Sequence, residues 1–340
     1  MLSAIGTLSP GFARCFKAGG IIVNEHTLDL EQTRRHVVTL GRWFDFIHLN
    51  ELPARLNRRN GKPFCLLTFD DGKRSNATVV APELERLGVP AVFFVVTSYL
   101  SGQTPLWFDR YWALRARLGA EPFGLRMQVI KQIPYDLLVD RLERACARCG
   151  VEADLNDDDV RPMTWDEARN LHRRGFSIGA HGDTHAIMTR VARPAAFQNI
   201  AKSIARVSEE MGAPCTSFAF PNGNYTPELA QHAIRCGVKM VMTTEPMWVD
   251  KTFPLWRLPR VQLFRTDSQG KIELKIATAT PGWLRSNPDG TGRLYRKMHR
   301  LPREFPGAAS PATSFYSPTQ RNTMDVSVDN SNAELKINPF

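Results

Sequence analysis

Short runs of β-branched and aromatic residues punctuate the chain at Ile21 to Val23, Phe64 to Phe69, Ala91 to Val96, Phe176 to Ala180, Ser217 to Phe220, Lys239 to Met242 and Trp256 to Val261. They are continuously apolar rather than alternating, which is the pattern of strands buried on both faces. Helix-like stretches separate most of them. Asn76 to Leu87 stops at Gly88, Ala195 to Met211 at Gly212, and Pro227 to Cys236 at Gly237. Trp165 to Arg174 carries both signals of a helix: Thr164 with Glu167 three residues on forms a capping box, and Gly175 supplies the stop. Strand and helix in alternation predict a parallel sheet with helical cover, either open or closed into a barrel.

The interval from Ser98 to Pro162 breaks this rhythm. It reads as helical, best at Trp107 to Leu118 and Pro134 to Cys149, and as an insertion that packs on the sheet and walls the active face. It passes through the acidic turn Asn156-Asp157-Asp158-Asp159. That turn lacks the glycine and closing glutamate of a calcium loop and is read as solvated. Beyond about Thr280 the apolar period decays into a segment rich in Pro, Ser, Asn, Thr and Arg, read as a flexible tail. The organisation expected is therefore an N-terminal extension (1–20), an α/β unit (21–280) containing the helical insertion (98–162), and a basic tail (281–340).

The chain has 340 residues, 43% of them hydrophobic, enough for one large core or for one core plus a modest extra lobe. Its apolar runs are too short to span a bilayer, and the first twenty residues show neither a long apolar segment nor a cleavage site, so a cytoplasmic location is expected. The net charge of +10 owes much to Arg285, Arg293, Arg296, Lys297, Arg300 and Arg303. Such a tail suits an anionic inner-membrane surface or an acidic glycan. No stacking platform or known motif accompanies it, and no nucleic-acid partner is expected. Cys146 and Cys149 form a C-x-x-C with no second pair, and are read as two thiols on one helix face. Nothing in the sequence sets an oligomeric state.

Two segments carry candidate chemistry. Thr68-Phe69-Asp70-Asp71-Gly72 places adjacent carboxylates directly after an apolar strand, at the end where parallel α/β folds build their active face. Adjacent residues on an extended chain point apart, but a turn lets both reach one site, one as metal ligand and one as general base. His181-Gly182-Asp183-Thr184-His185 also follows a strand. If it enters a helix, its two imidazoles lie on one face and can share a metal ion.

Together these motifs resemble the polysaccharide deacetylase family, the NodB-like carbohydrate esterases. The resemblance implies a distorted (β/α)7 barrel and removal of N-acetyl groups from an amino-sugar polysaccharide or its precursor, for example a lipid-linked sugar. It makes Asp70 the catalytic base and Asp71, His181 and His185 the ligands of a divalent ion, Zn2+ first, with Co2+ or another divalent ion as options. Gly182 stands where the family has Ser or Thr. The family's R-x-P-x-G motif aligns with Ala219-Phe220-Pro221-Asn222-Gly223, so the arginine that holds the catalytic aspartate is missing, while the Asn222 backbone N–H can still serve an oxyanion hole. Arg260 is the candidate replacement for the arginine. The family's late histidine is not recognisable, and His26, at the end of the first strand, is the candidate general acid, as in permuted members of the superfamily. Two other readings are an amidohydrolase acting on a small or cyclic amide and a catalytically impaired, metal-containing glycan-binding protein, which Ala219 favours.

Overall fold

The computed structural model of the chain describes residues 19–58 and 61–279. The basic tail and nearly all of the N-terminal extension lie outside the described residues. The strands are β1 (Gly20–Glu25), β2 (Asp45–Phe46), β3 (Phe64–Phe69), β4 (Ala91–Val95), β5 (Ser177–Ala180), β6 (Ser217–Ala219), β7 (Met240–Met242) and β8 (Val261–Gln262). All pairings are parallel, in the order β7-β6-β5-β4-β3-β1-β8, with β2 beside the first half of β3. The segment leading into β8 bridges the sheet's two sides. Leu258 pairs with Met242 of β7, and Val261 and Gln262 pair with Val23 and Asn24 of β1. The sheet thereby curls into the distorted (β/α) barrel that the sequence predicts.

Strand periodicity of two sorts the side chains into an inside and an outside. Cys65, Leu67 and Phe69 of β3, with Ile21 and Val23 of β1, face outward into the layer packed by helices. Phe64 and Leu66, with Ile22, Val92, Phe94, Ala219 and Met242, fill the interior. Carried on toward the strand ends, the inner series of β3 reaches Thr68 and Asp70, that of β1 reaches Asn24 and His26, and that of the closing segment runs through Leu258, Arg260 and Gln262. The apolar interior thus gives way to polar residues at one end of the barrel.

Several elements differ from the sequence reading, among them the strand expected over Trp256 to Val261, which forms only at Val261–Gln262 after an isolated bridge at Leu258, since Pro259 has no N–H to give a ladder. The helix expected over Asn76 to Leu87 is a π-helical turn, Asn76–Val80, followed by an α-helix, Ala81–Arg86. Pro82 has no N–H and its ring would strike the carbonyl of Thr78, and the wider turn, closed by Ala81 N–H to Asn76 O, removes that conflict. A helix at Leu30–Gly41, opened by a capping box between Asp29 and Gln32, escaped the reading because three of its five buried residues are polar: Thr33, His36 and Thr39. The acidic turn is not a free solvated loop. Asp158 binds Arg74 and Thr78, and Asp159 binds Arg265, which ties the insertion to the barrel.

The insertion has its own apolar cluster of Trp107, Tyr111, Leu114, Ile130, Leu138, Leu142 and Cys146. No helix among the described residues is long and apolar enough to cross a membrane. Phe93 lies at the centre of the outer layer, fully buried between Phe69 (5.3 Å) and Phe176 (5.5 Å). Phe93→Ala is expected to cost about 3–5 kcal/mol in chemical denaturation; a loss below 1 kcal/mol would mean that this layer does not carry the fold.

Candidate active site

The polar end of the barrel holds a cavity of about 470 Å3 lined by Asp70, Asp71, His181, His185, His26 and Asn222, among others. Asp70 continues β3, its N–H donating to Glu25 O at 2.9 Å. Asp71 then turns into the left-handed region, with φ 76°, followed by Gly72 at 75°. That turn brings adjacent carboxylates into one site.

Arg260 is wholly buried and grips Asp70 with both guanidinium nitrogens, Nη1 to Oδ1 at 2.7 Å and Nη2 to Oδ2 at 2.8 Å. It also donates to Thr68 Oγ1 (3.0 Å) and to Thr243 O (2.9 Å) and lies over the Phe94 ring. Ala219 of β6, where the family motif has its arginine, contributes only a methyl group to the interior. Burial alone would raise the pKa of Asp70. The charges of Arg260 and then His181 outweigh it, so the carboxylate ends below its usual range.

His181 follows β5. Its Nδ1 lies 2.8 Å from Ala219 O, so the ring donates there and turns the Nε2 lone pair into the site. Burial lowers its pKa to about 4, which keeps the ring neutral and able to ligate near neutral pH. The segment from His181 to His185 is not helical, contrary to the helical option for the i, i+4 spacing. It is a loop in which His185 takes a left-handed conformation, φ 57°, that aims its ring back beside His181, with centroids 5.0 Å apart.

The insertion and neighbouring helices hold this loop. Trp107 Nε1 donates to His185 O (3.3 Å), Tyr135 Oη to Thr184 O (2.8 Å), and Phe108 meets the His185 ring edge-on. Asn199 accepts from Asp183 N–H and donates to Thr184 Oγ1, while Asp183 accepts from Thr97 and Lys202. Gly182 is required where it stands. Its φ is +77°, and a Cβ would lie 2.8 Å from Met188 and 3.0 Å from Asn199. The loop is braced by Asn199, Thr97 and the insertion.

Asp71, His181 and His185 offer one ligand atom each, all within 4.8 Å of one another. His185 Nε2 is 3.1 Å and His181 Nε2 3.6 Å from Asp71 Oδ1. That oxygen is buried without a hydrogen-bond partner. A buried, unsatisfied carboxylate oxygen facing two imidazoles is a donor set that fits a divalent ion. The Asp71 pKa lies far below its usual range, because His185, His26 and His181 outweigh the effect of burial.

Asn222 sits in a tight turn, Pro221–Gly223, with φ 57°. Gly223 is forced there, since a Cβ would overlap Thr244. Sequence reasoning missed Lys131, which lines the same cavity and donates to Asn222 Oδ1 at 2.6 Å; no motif marks it. It also missed the Lys73–Asp109 ion pair (2.6 Å), which fastens the insertion to the turn after Gly72.

A family model described as polysaccharide deacetylase matches residues 57–241. The chain belongs to the polysaccharide deacetylase family. The match contains Asp70, Asp71, His181 and His185 but neither His26 nor Arg260. Family membership supports hydrolysis of N-acetyl groups on a polysaccharide, and the family is metal-dependent. Among solved structures the chain is similar to the deacetylase PplD of Streptococcus pyogenes in complex with acetate, at 14% identity and TM-score 0.54, covering 76% of this chain and 99% of that one. It is also similar to the BpsB deacetylase domain of Bordetella bronchiseptica, at 17% and 0.51, covering 73% and 97%. A third is the putative polysaccharide deacetylase BA0330 of Bacillus anthracis, at 13% and 0.52, covering 77% and 70%. At such identities these likenesses concern the fold. No protein with a curated description matches the chain.

Arg260→Ala leaves a buried carboxylate without its counter-charge and is expected to destabilise the protein by about 3–5 kcal/mol while its content of divalent metal, read by atomic absorption, is retained. Loss of the metal with the arginine would place Arg260 in the ligand network. The His181 ring accepts a proton at about 4 in the folded protein and at about 6.5 unfolded. Its contribution to the stability of the metal-free protein is therefore complete above about 6.5 and is lost as pH falls toward 4. Denaturation across that window should show a pH slope that His181→Asn flattens; an unchanged slope contradicts the assignment.

Proposed function

We propose that this protein hydrolyses the N-acetyl group of an amino sugar in a polysaccharide or its precursor, with Asp70 as base, Asp71, His181 and His185 as ligands of a divalent ion, and His26 as acid. The observation that carries the reading is the pairing of an ionised, arginine-clamped Asp70 with a separate Asp-His-His donor set on its neighbour. A carboxylate outside the donor set and free to take a proton is what a hydrolase needs and a binding protein does not. A glycan-binding reading drew its support from the missing motif arginine, and Arg260 occupies that place with a bidentate grip on Asp70.

The ion, when bound, supplies Lewis acidity that brings the pKa of water toward about 7. Each Asp70 oxygen gives one lone pair to Arg260 and keeps another. The carboxylate is thus held in a fixed orientation while still able to accept a proton from the attacking water. Attack on the acetyl carbonyl moves charge onto its oxygen, which the Asn222 backbone N–H stabilises from its constrained turn. Breaking the C–N bond requires a proton on the departing sugar nitrogen, and His26, which follows β1 and lines the same cavity as Asp70, delivers it. The products are acetate and a free amine.

Acetate release from N-acetylated oligosaccharides should disappear with a chelator and return with Zn2+ or Co2+. Asp70→Asn and His26→Gln should each lower kcat by about 10²- to 10⁴-fold with metal content unchanged. Metal-independent release, or full turnover in either variant, would contradict these roles.

A further inference from the structure

The cations that are fully buried among the described residues are matched to carboxylates. Arg260 binds Asp70 at 2.7 Å, Lys73 binds Asp109 at 2.6 Å, and Arg257 binds Glu245 at 3.1 Å. Arg265, at the mouth of the active cavity, pairs with Asp159 at 2.8 Å. Lys131, which is only partly buried, has no such match. It follows the short helix Met127–Ile130 of the insertion, and its ammonium lines the cavity. Its hydrogen bond goes to a neutral amide oxygen, Asn222 Oδ1 at 2.6 Å, and no carboxylate pairs with it among the described residues.

Removing an ammonium from water is costly, and an amide oxygen compensates less than a carboxylate. Burial accordingly lowers the Lys131 pKa, opposed by the charge of Asp71. That opposition is incomplete, since Asp70 is neutralised by Arg260 and Asp71 Oδ1 is turned toward His181 and His185. The insertion therefore keeps a partly desolvated positive charge, without a counter-charge of its own, in the wall of the cavity that receives substrate. Trp107, Phe108 and Trp112 share that wall, and such rings suit the faces of sugars.

We propose that Lys131 receives an anionic substituent of the substrate, so that the preferred substrate is an N-acetylated glycan with a carboxylate or phosphate group close to the acetamido sugar. The naming of an acetylated substrate rests on the deacetylase reading; the anion site itself rests on Lys131. When such a substrate enters, the ammonium exchanges its amide partner, or shares it, for a charge-assisted hydrogen bond to the substrate anion.

The test uses the metal-loaded enzyme with three substrates: a neutral N-acetylglucosamine tetramer, an N-acetylated oligosaccharide containing uronate, and an N-acetylated sugar phosphate. Wild type is compared with Lys131→Met and Lys131→Arg. Acetate release gives kcat and KM, and calorimetry gives binding of the corresponding de-N-acetylated products, which cannot turn over. An advantage of about ten- to a hundredfold in kcat/KM for the uronate or the phosphate substrate, residing in KM, is expected in wild type. Whichever arm shows it identifies the anion. Lys131→Met should bring the ratio of acidic to neutral kcat/KM down to about one, whatever it does to turnover of the neutral substrate, whereas Lys131→Arg should keep the ratio. Equal handling of neutral and acidic substrates by wild type, a preference that survives Lys131→Met, or an equal loss on all substrates would overturn the proposal. Absence of acetate release alongside Lys131-dependent binding of the acidic products would overturn the deacetylase reading and leave the anion site standing.

Discussion

A fully buried ion pair, Asp70 with Arg260, organises the active end of the barrel. Two charges withdrawn from water are tolerated only when geometry and hydrogen bonding compensate. Here the guanidinium uses Nη1 and Nη2 on the carboxylate, a third contact on Thr68 and a fourth on the Thr243 carbonyl. The contacts come from β3, from the residue after β7 and from the segment leading into β8, so the pair also joins the two sides of the curled sheet. Satisfying Asp70 internally has a chemical consequence. It separates the roles of two neighbouring carboxylates, because Asp70 is held by an arginine while Asp71 turns away to face two imidazoles with an oxygen left unsatisfied.

The insertion is the second constraint. Left-handed backbone at a histidine is strained, and it persists only where the surroundings over-determine it. Trp107, Phe108 and Tyr135, all from the insertion, converge on the His185 loop, and Lys73–Asp109 fastens the same insertion to the turn that carries Asp71. A segment that looks like an interruption of the strand–helix rhythm is therefore what holds two of the three candidate ligands in register. It also supplies the aromatic wall and Lys131, the features of the cavity that bear on substrate.

Much of this was legible in the sequence, for identifiable reasons. The barrel strands are continuous apolar runs, and the helix opening at Thr164 declares both of its ends. Asp70, Asp71, His181 and His185 stand at strand ends in tight spacings. His26 and Arg260 were found by asking what could replace missing motif residues, and the structure brings both to the site through the period-2 inner series of β1 and of the closing segment. What was not legible depends on tertiary contact. The helix Leu30–Gly41 hides behind buried Thr33, His36 and Thr39. The left-handed turn at His185 follows from partners dozens of residues away. Lys131 stands in no recognisable motif, and only the fold sets it against Asn222.

The central claim is that the two adjacent aspartates have divided tasks. Crystals soaked with zinc and measured at the zinc absorption edge test it directly. The account predicts one anomalous peak held by Asp71, His181 and His185, with Asp70 still in its bidentate contact with Arg260. An ion bound elsewhere, or an Asp70 that leaves Arg260 to become a ligand, would contradict it.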